Sequence, residues 1–284
     1  MNRLVKLFLV LGSAGLVLHG VGAAGPRRGA EPSSFAPRAR VAEYRTYCDG
    51  WSVSAPSAVA EMDPRPLVWV VNGAGDLKGC STALSHANML AGGPLELSVF
   101  PWSHGYRRLL LDQTDWSHAK EQGGRLAAAI RARKEREPDR RVAVVGHSAG
   151  CGVVLATGDV LPPDSIDRMI LLAPSVSTGY DLRPSLSAAR EGLDVFCSRK
   201  DWVALGFAVR VVGTADTGSG TAAGRVGFHP KGEAAHDPLI SAKLRQHFWS
   251  ADLAWTGHTG GHHGMLSPAF VHAYLFPLFG APVK

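Results

Sequence analysis

From residue 66 onward, apolar and polar positions fall into alternating blocks. "PLVWVV" (66–71) is an unbroken β-branched and aromatic run. Such a run, without polar alternation, predicts a strand covered on both faces. "LELSVF" (95–100), "RVAVVG" (141–146), "IDRMILLAP" (166–174) and "LDVFCS" (193–198) predict four more strands. The segments between them carry helical spacing. "CSTALSHANMLA" (80–91) is one helix. "DWSHAKEQGGRLAAAIRARKERE" (115–137) is a second, with Trp116, Ala119, Leu126, Ala129 and Ile130 along one face. It stops before Pro138, and Gly123-Gly124 weakens its middle. "AGCGVVLATGDVL" (149–161), "SLSAAREG" (185–192), "HDPLISAKLRQHF" (236–248) and "SPAFVHAYLFPLF" (267–279) also read as helices. Strand and helix in alternation predict an α/β fold, with a mostly parallel central sheet and helices on both faces. In such sheets ligands collect at the carboxyl ends of the strands. The reactive residues of interest are therefore those just after a strand.

The chain's start follows a different pattern. Arg3 and Lys6 precede an uncharged stretch from Leu7 to Pro26, and Gly22, Ala23 and Ala24 close it. A positive start, an apolar run and a small-residue end predict a signal peptide over 1–24, hence an exported protein. A retained membrane anchor is the competing reading, and the sole route by which a membrane would be a partner. Residues 25–41, rich in Pro, Arg and Ser, read as a flexible lead-in, and 42–284 as the folded domain. With 45% hydrophobic and 19% charged residues, that length suits one domain with a large core. The net charge of +6 is a mild excess. Its basic residues are scattered and interleaved with acids in "RARKEREPDRR", which marks a solvated helix face and no nucleic-acid partner. Of the four cysteines, Cys151 and Cys197 lie in apolar segments as buried thiols, whereas Cys48 and Cys80 lie in turn-like segments and are the expected disulfide pair.

Three groups carry candidate chemistry. Ser148 lies in "GHSAG", between a strand and a helix. Gly146 and Gly150 leave room for a sharp turn that lifts the hydroxyl above the sheet, and the Ala149 amide at the helix start points toward the same space. The competing account is a glycine-rich turn with a spectator serine. A serine hydroxyl needs a base, usually a histidine oriented by a carboxylate. Asp201 follows the strand 193–198, and Asp216 in "GTADTGSG" is its rival. "WTGHTGGHHGMLSP" offers His258, His262 and His263 on a glycine-rich loop. A metal reading of His258 and His262 finds no carboxylate or cysteine ligand nearby, so the expectation is no metal and no cofactor. Trp102, His104 and Tyr106 follow a strand on the same sheet edge, where they either line a pocket or simply pack.

The order Ser148, Asp201, His262, with the serine on a strand–helix turn, resembles the α/β-hydrolase superfamily over roughly residues 66–279. "VVNGAG" resembles that family's oxyanion loop, with Asn72 where histidine is usual. The resemblance implies Ala74 and Ala149 amides as oxyanion donors. It also favours His262, directly after Gly-Gly, over His263. It implies an exported serine esterase or lipase acting on small-molecule or polymer-linked esters through a Ser-His-Asp triad. The alternative is a catalytically silent binding protein with the same fold at the cell surface.

Overall fold

A computed structural model describes residues 63–201, 214–216 and 220–280. The expected signal peptide, the expected lead-in, the expected domain start at Ala42 and Cys48 all lie outside the described residues. Among the described residues, six strands form one sheet: β1 (Leu67–Val71), β2 (Glu96–Val99), β3 (Val142–His147), β4 (Arg168–Leu172), β5 (Leu193–Cys197) and β6 (Leu244–Phe248). Their order is β2-β1-β3-β4-β5-β6, and every neighbouring pair is parallel. The expected parallel α/β architecture is what forms.

The strands' period of two sorts their side chains into two cores. Val142 and Val144 face a cluster with Leu126 and Ile130 of one helix and Val153 and Val154 of another. Ala143 and Val145 face the opposite cluster, with Leu84, Phe270 and Phe276. The first face is covered by α3 (Trp116–Arg136), α4 (Gly150–Gly158) and α5 (Arg183–Ala188), which follow α1 (Gly79–Leu90) and the short α2 (Leu109–Thr114) in the chain. The second face is covered by α1 and the C-terminal helical turns Pro268–Phe279.

A Cβ on Gly123 would lie 2.8 Å from a backbone atom of Ala156, so the glycine permits α3 and α4 to touch. Three expectations are corrected. The helix expected over 185–192 spans Arg183–Ala188, and Ala189 is already extended. The helix expected over 236–248 is split. A short helix, Pro238–Lys243, is capped by Asp237 accepting from the Leu239 amide, and Leu244–Phe248 is strand β6. Tertiary pairing overrides the local pattern there. Arg245 sits opposite Asp194 of β5, and both Arg245 and His247 bond to that fully buried carboxylate. Finally, Cys80 lies on α1 as a free, buried thiol and not in a turn-like segment, while its expected partner Cys48 lies outside the described residues. It is tucked into the apolar layer between α1 and the sheet, and burial raises its pKa to about 12. Cys151 and Cys197 are free and buried, as their apolar segments imply.

At the amino ends of the strands, Glu191 bonds to Arg141 and Arg168. The two guanidiniums hold its carboxyl at about 2, below its ordinary 4.5, chiefly through the Arg141 hydrogen bonds. The stabilisation is complete above pH 4.5 and is lost as pH falls toward 2. Urea midpoints measured across that window should fall less steeply for Glu191→Gln than for wild type.

Candidate active site

Strand β3 ends at His147 and α4 begins at Gly150, so Ser148 occupies the turn between them. Its φ is +54°, a left-handed conformation that costs a non-glycine residue roughly 1–3 kcal/mol. The surroundings impose it. The Ser148 amide donates to the Leu172 carbonyl at 2.9 Å, and its carbonyl accepts from Ser175 and Cys151. The flanking glycines are steric requirements. A Cβ on Gly146 would lie 2.8 Å from Val154 Cγ2, and one on Gly150 would lie 2.2 Å from the Asn72 carbonyl oxygen. Gly150→Ala should therefore destabilise the fold by about 2–3 kcal/mol, as overpacking does, and displace the Asn72 loop. Chemical denaturation and kcat measured on the same preparation check both effects.

The structure brings three of the sequence candidates together. Ser148 Oγ lies 2.9 Å from His262 Nε2, and His262 Nδ1 lies 2.5 Å from Asp201 Oδ2. Asp201 is buried, on the turn after β5, where its amide donates to the Ser198 carbonyl at 3.0 Å. The Ser198 hydroxyl donates to the Gly260 carbonyl at 2.5 Å, tying the acid-bearing turn to the histidine loop. In this arrangement the carboxylate fixes the imidazole with its proton on Nδ1, leaving Nε2 free to accept the serine proton.

The rival residues lie elsewhere. Asp216 accepts from the Ser177 amide and hydroxyl. His258 is buried against Trp249 and Phe270, and its Nδ1 accepts from the Gly260 amide at 3.3 Å. Burial lowers its pKa from 6.5 to about 4. The His263 ring is 5.1 Å from that of His262, and burial again favours its neutral form. His147, just before the serine, packs 4.9 Å from the His262 ring. Its burial, and then the two neighbouring imidazoles, keep it neutral. Among the described residues no cluster of three or more His, Cys, Asp or Glu could hold a metal ion.

The loop after β1 crosses beside the serine. A Cβ on Gly73 would lie 3.5 Å from Ser148 Cβ and 3.1 Å from His147 Nδ1. Ala74 opens a short 3₁₀ turn, Ala74–Asp76, and Ala149 is buried at the cap of α4. Asn72 anchors the loop. Its Oδ1 accepts from the Ser81 amide at 2.9 Å, and its Nδ2 donates to Ser81 Oγ at 3.0 Å. Trp102 is buried, and its indole N–H donates to the Asn72 carbonyl at 2.8 Å, so it packs beneath the loop. His104 bonds to the buried carboxylate of Asp112, while Tyr106 is exposed. Asp112 and Ser198 went unnoticed in the sequence. Asp112 lies on α2, a helix of six residues that is too short to show a periodic signal.

A six-stranded parallel sheet carries the serine on the turn after β3, and the acid and histidine follow in chain order on loops at the same edge. This is the α/β-hydrolase fold. No protein-family model and no curated protein matches the chain. Among solved structures, an esterase from Pyrococcus furiosus is similar, with 11% identity and a TM-score of 0.44, the alignment covering 76% of this chain and 81% of that one. A lipase/esterase from Lactobacillus plantarum is 13% identical with a TM-score of 0.40, covering 77% of this chain and 87% of that one.

Proposed function

We propose that this α/β-hydrolase-fold chain is a serine hydrolase that cleaves carboxylic esters through an acyl-enzyme. The observation that carries the reading is the unbroken chain of contacts from Ser148 Oγ through His262 to Asp201. His262 Nε2 takes the Ser148 proton as Oγ bonds to the ester carbonyl carbon, and the carbonyl π electrons move onto oxygen. Asp201 stabilises the imidazolium that forms. The Ala74 and Ala149 amides receive the oxyanion, each well-aimed donor being worth ~3 kcal/mol in the transition state. The tetrahedral intermediate collapses, the alkoxide leaves with the proton from His262, and water repeats the sequence to release the acid.

The substrate is a soluble ester or an acyl group carried on a polymer. Support comes from the connection between β4 and β5, which contains one six-residue helix, α5. Export through the leader at 1–24 belongs to the same reading, supported by its charge and small-residue pattern. A panel of p-nitrophenyl esters from acetate to palmitate tests the substrate class. The highest kcat/KM is expected at acyl chains of about four carbons or fewer. Activity restricted to long-chain emulsions would contradict it.

A further inference from the structure

We infer that Asp112 is a positioning residue for the oxyanion loop. Its carboxylate orients the peptide that follows the proposed donor Ala74. The inference rests on the ester-hydrolase reading and adds a part that the triad does not contain.

Asp112 sits on α2, 36 positions before Ser148 in the chain, and its side chain has no solvent exposure. Four donor groups surround it. The Gly75 amide donates to Oδ2 at 2.6 Å, and the Ser103 hydroxyl donates to the same oxygen at 2.5 Å. The His104 amide donates to Oδ1 at 2.8 Å, and His104 Nδ1 lies 2.8 Å from that oxygen. A carboxylate is stable out of water when it receives this many hydrogen bonds.

The bond to Gly75 matters because of where that peptide lies. Gly75 is left-handed at φ +75°, and a Cβ there would sit 2.7 Å from Leu109 Cδ2. Its carbonyl accepts from the Arg107 amide at 2.9 Å. Both polar groups of Gly75 are thus tied to the segment that carries Asp112. On the other side, Trp102 and Ser81 hold Asn72. The Gly73–Ala74 peptide, whose N–H would meet the oxyanion, is suspended between these two anchors. The two anchors together set the path of the loop on either side of it. Two oxygens of one carboxylate accept from both Gly75 and His104. An asparagine has one acceptor oxygen, and would turn its NH₂ toward one of those amides. Asp112→Asn therefore keeps the shape and releases an anchor.

A displaced oxyanion donor costs transition-state stabilisation while leaving ground-state binding nearly untouched. The test uses p-nitrophenyl butyrate, with kcat referred to sites counted by exhaustive fluorophosphonate labelling, so that unfolded protein does not enter. Ser148-dependent turnover by wild type is measured alongside. Asp112→Asn should lower kcat per site by about 100-fold, the scale of a 1 Å misplacement, with KM changed by less than about threefold. A kcat per site within threefold of wild type, or a loss confined to KM, overturns the role of Asp112 and leaves the hydrolase reading standing. Absence of Ser148-dependent turnover in wild type overturns both. If Asp112→Asn fails to fold, Ser103→Ala removes one donor to the same oxygen as Gly75. It should lower kcat about fivefold at constant KM, on the scale of one modest hydrogen bond. An unchanged kcat then overturns the role.

Discussion

Ser148→Ala should lower kcat for ester hydrolysis by about 10⁴- to 10⁶-fold while the protein remains folded, because nothing else can attack with the same geometry. This alcohol is the group His262 Nε2 bonds to, at 2.9 Å. Its removal deletes the acyl-enzyme route outright. The residual rate is that of water attacking an ester held near the oxyanion donors. Stability should change little. The φ of +54° is already borne by a side chain with a Cβ, and alanine asks for nothing more. The backbone bonds to Leu172, Ser175 and Cys151 remain. Steady-state kinetics and a thermal melt on the same sample check both halves. A loss of activity matched by a loss of folded protein would not support the assignment.

His262→Ala should cost a similar factor, about 10⁴-fold or more, and Asp201→Asn about 10⁴-fold. These losses arise differently. Without the imidazole the serine proton has no acceptor. With asparagine at 201, the contact to Nδ1 persists but the amide can fix the wrong tautomer, and the charged imidazole loses its counter-charge. The effects should not add. Ser148→Ala combined with His262→Ala should be about as slow as Ser148→Ala alone, because the three groups act on one proton. His263→Ala is the control: its ring is 5.1 Å from that of His262, yet Ser148 Oγ bonds to His262. It should retain activity within about threefold, on the scale of a substitution away from the reacting atoms. Parallel kinetics on the four variants read the pattern.

β1, β3, β4 and β5 are legible in the sequence because nearly every residue in each is buried, and a largely apolar run is the signature of that burial. β2, a half-buried edge strand, is legible from the alternation in "LELSVF". β6, the other edge strand, escapes because its residues are mostly polar. "LRQHF" has polar residues that Asp194 recruits from the neighbouring strand, and no local pattern announces a bond made across the sheet. Ser148 is legible because a turn this tight demands glycines two residues either side, and those are visible as letters. The histidine loop is visible as a cluster, but choosing His262 over His263 depends on which ring faces the serine. That is a property of three loops meeting. Cys80 shows the opposite failure. It stands next to Gly79, which suggests a turn, yet it is the second residue of α1 and faces the sheet. Asp112 carries no signal at all, since a buried carboxylate is intelligible only once its four donors have converged on it.

The most direct measurement is intact-mass analysis after reaction with an alkyl fluorophosphonate, followed by peptide mapping. The account predicts one adduct per chain, on Ser148, and none on Ser148→Ala. An adduct on another residue, or an unmodified wild-type chain that melts as a folded protein, would contradict it.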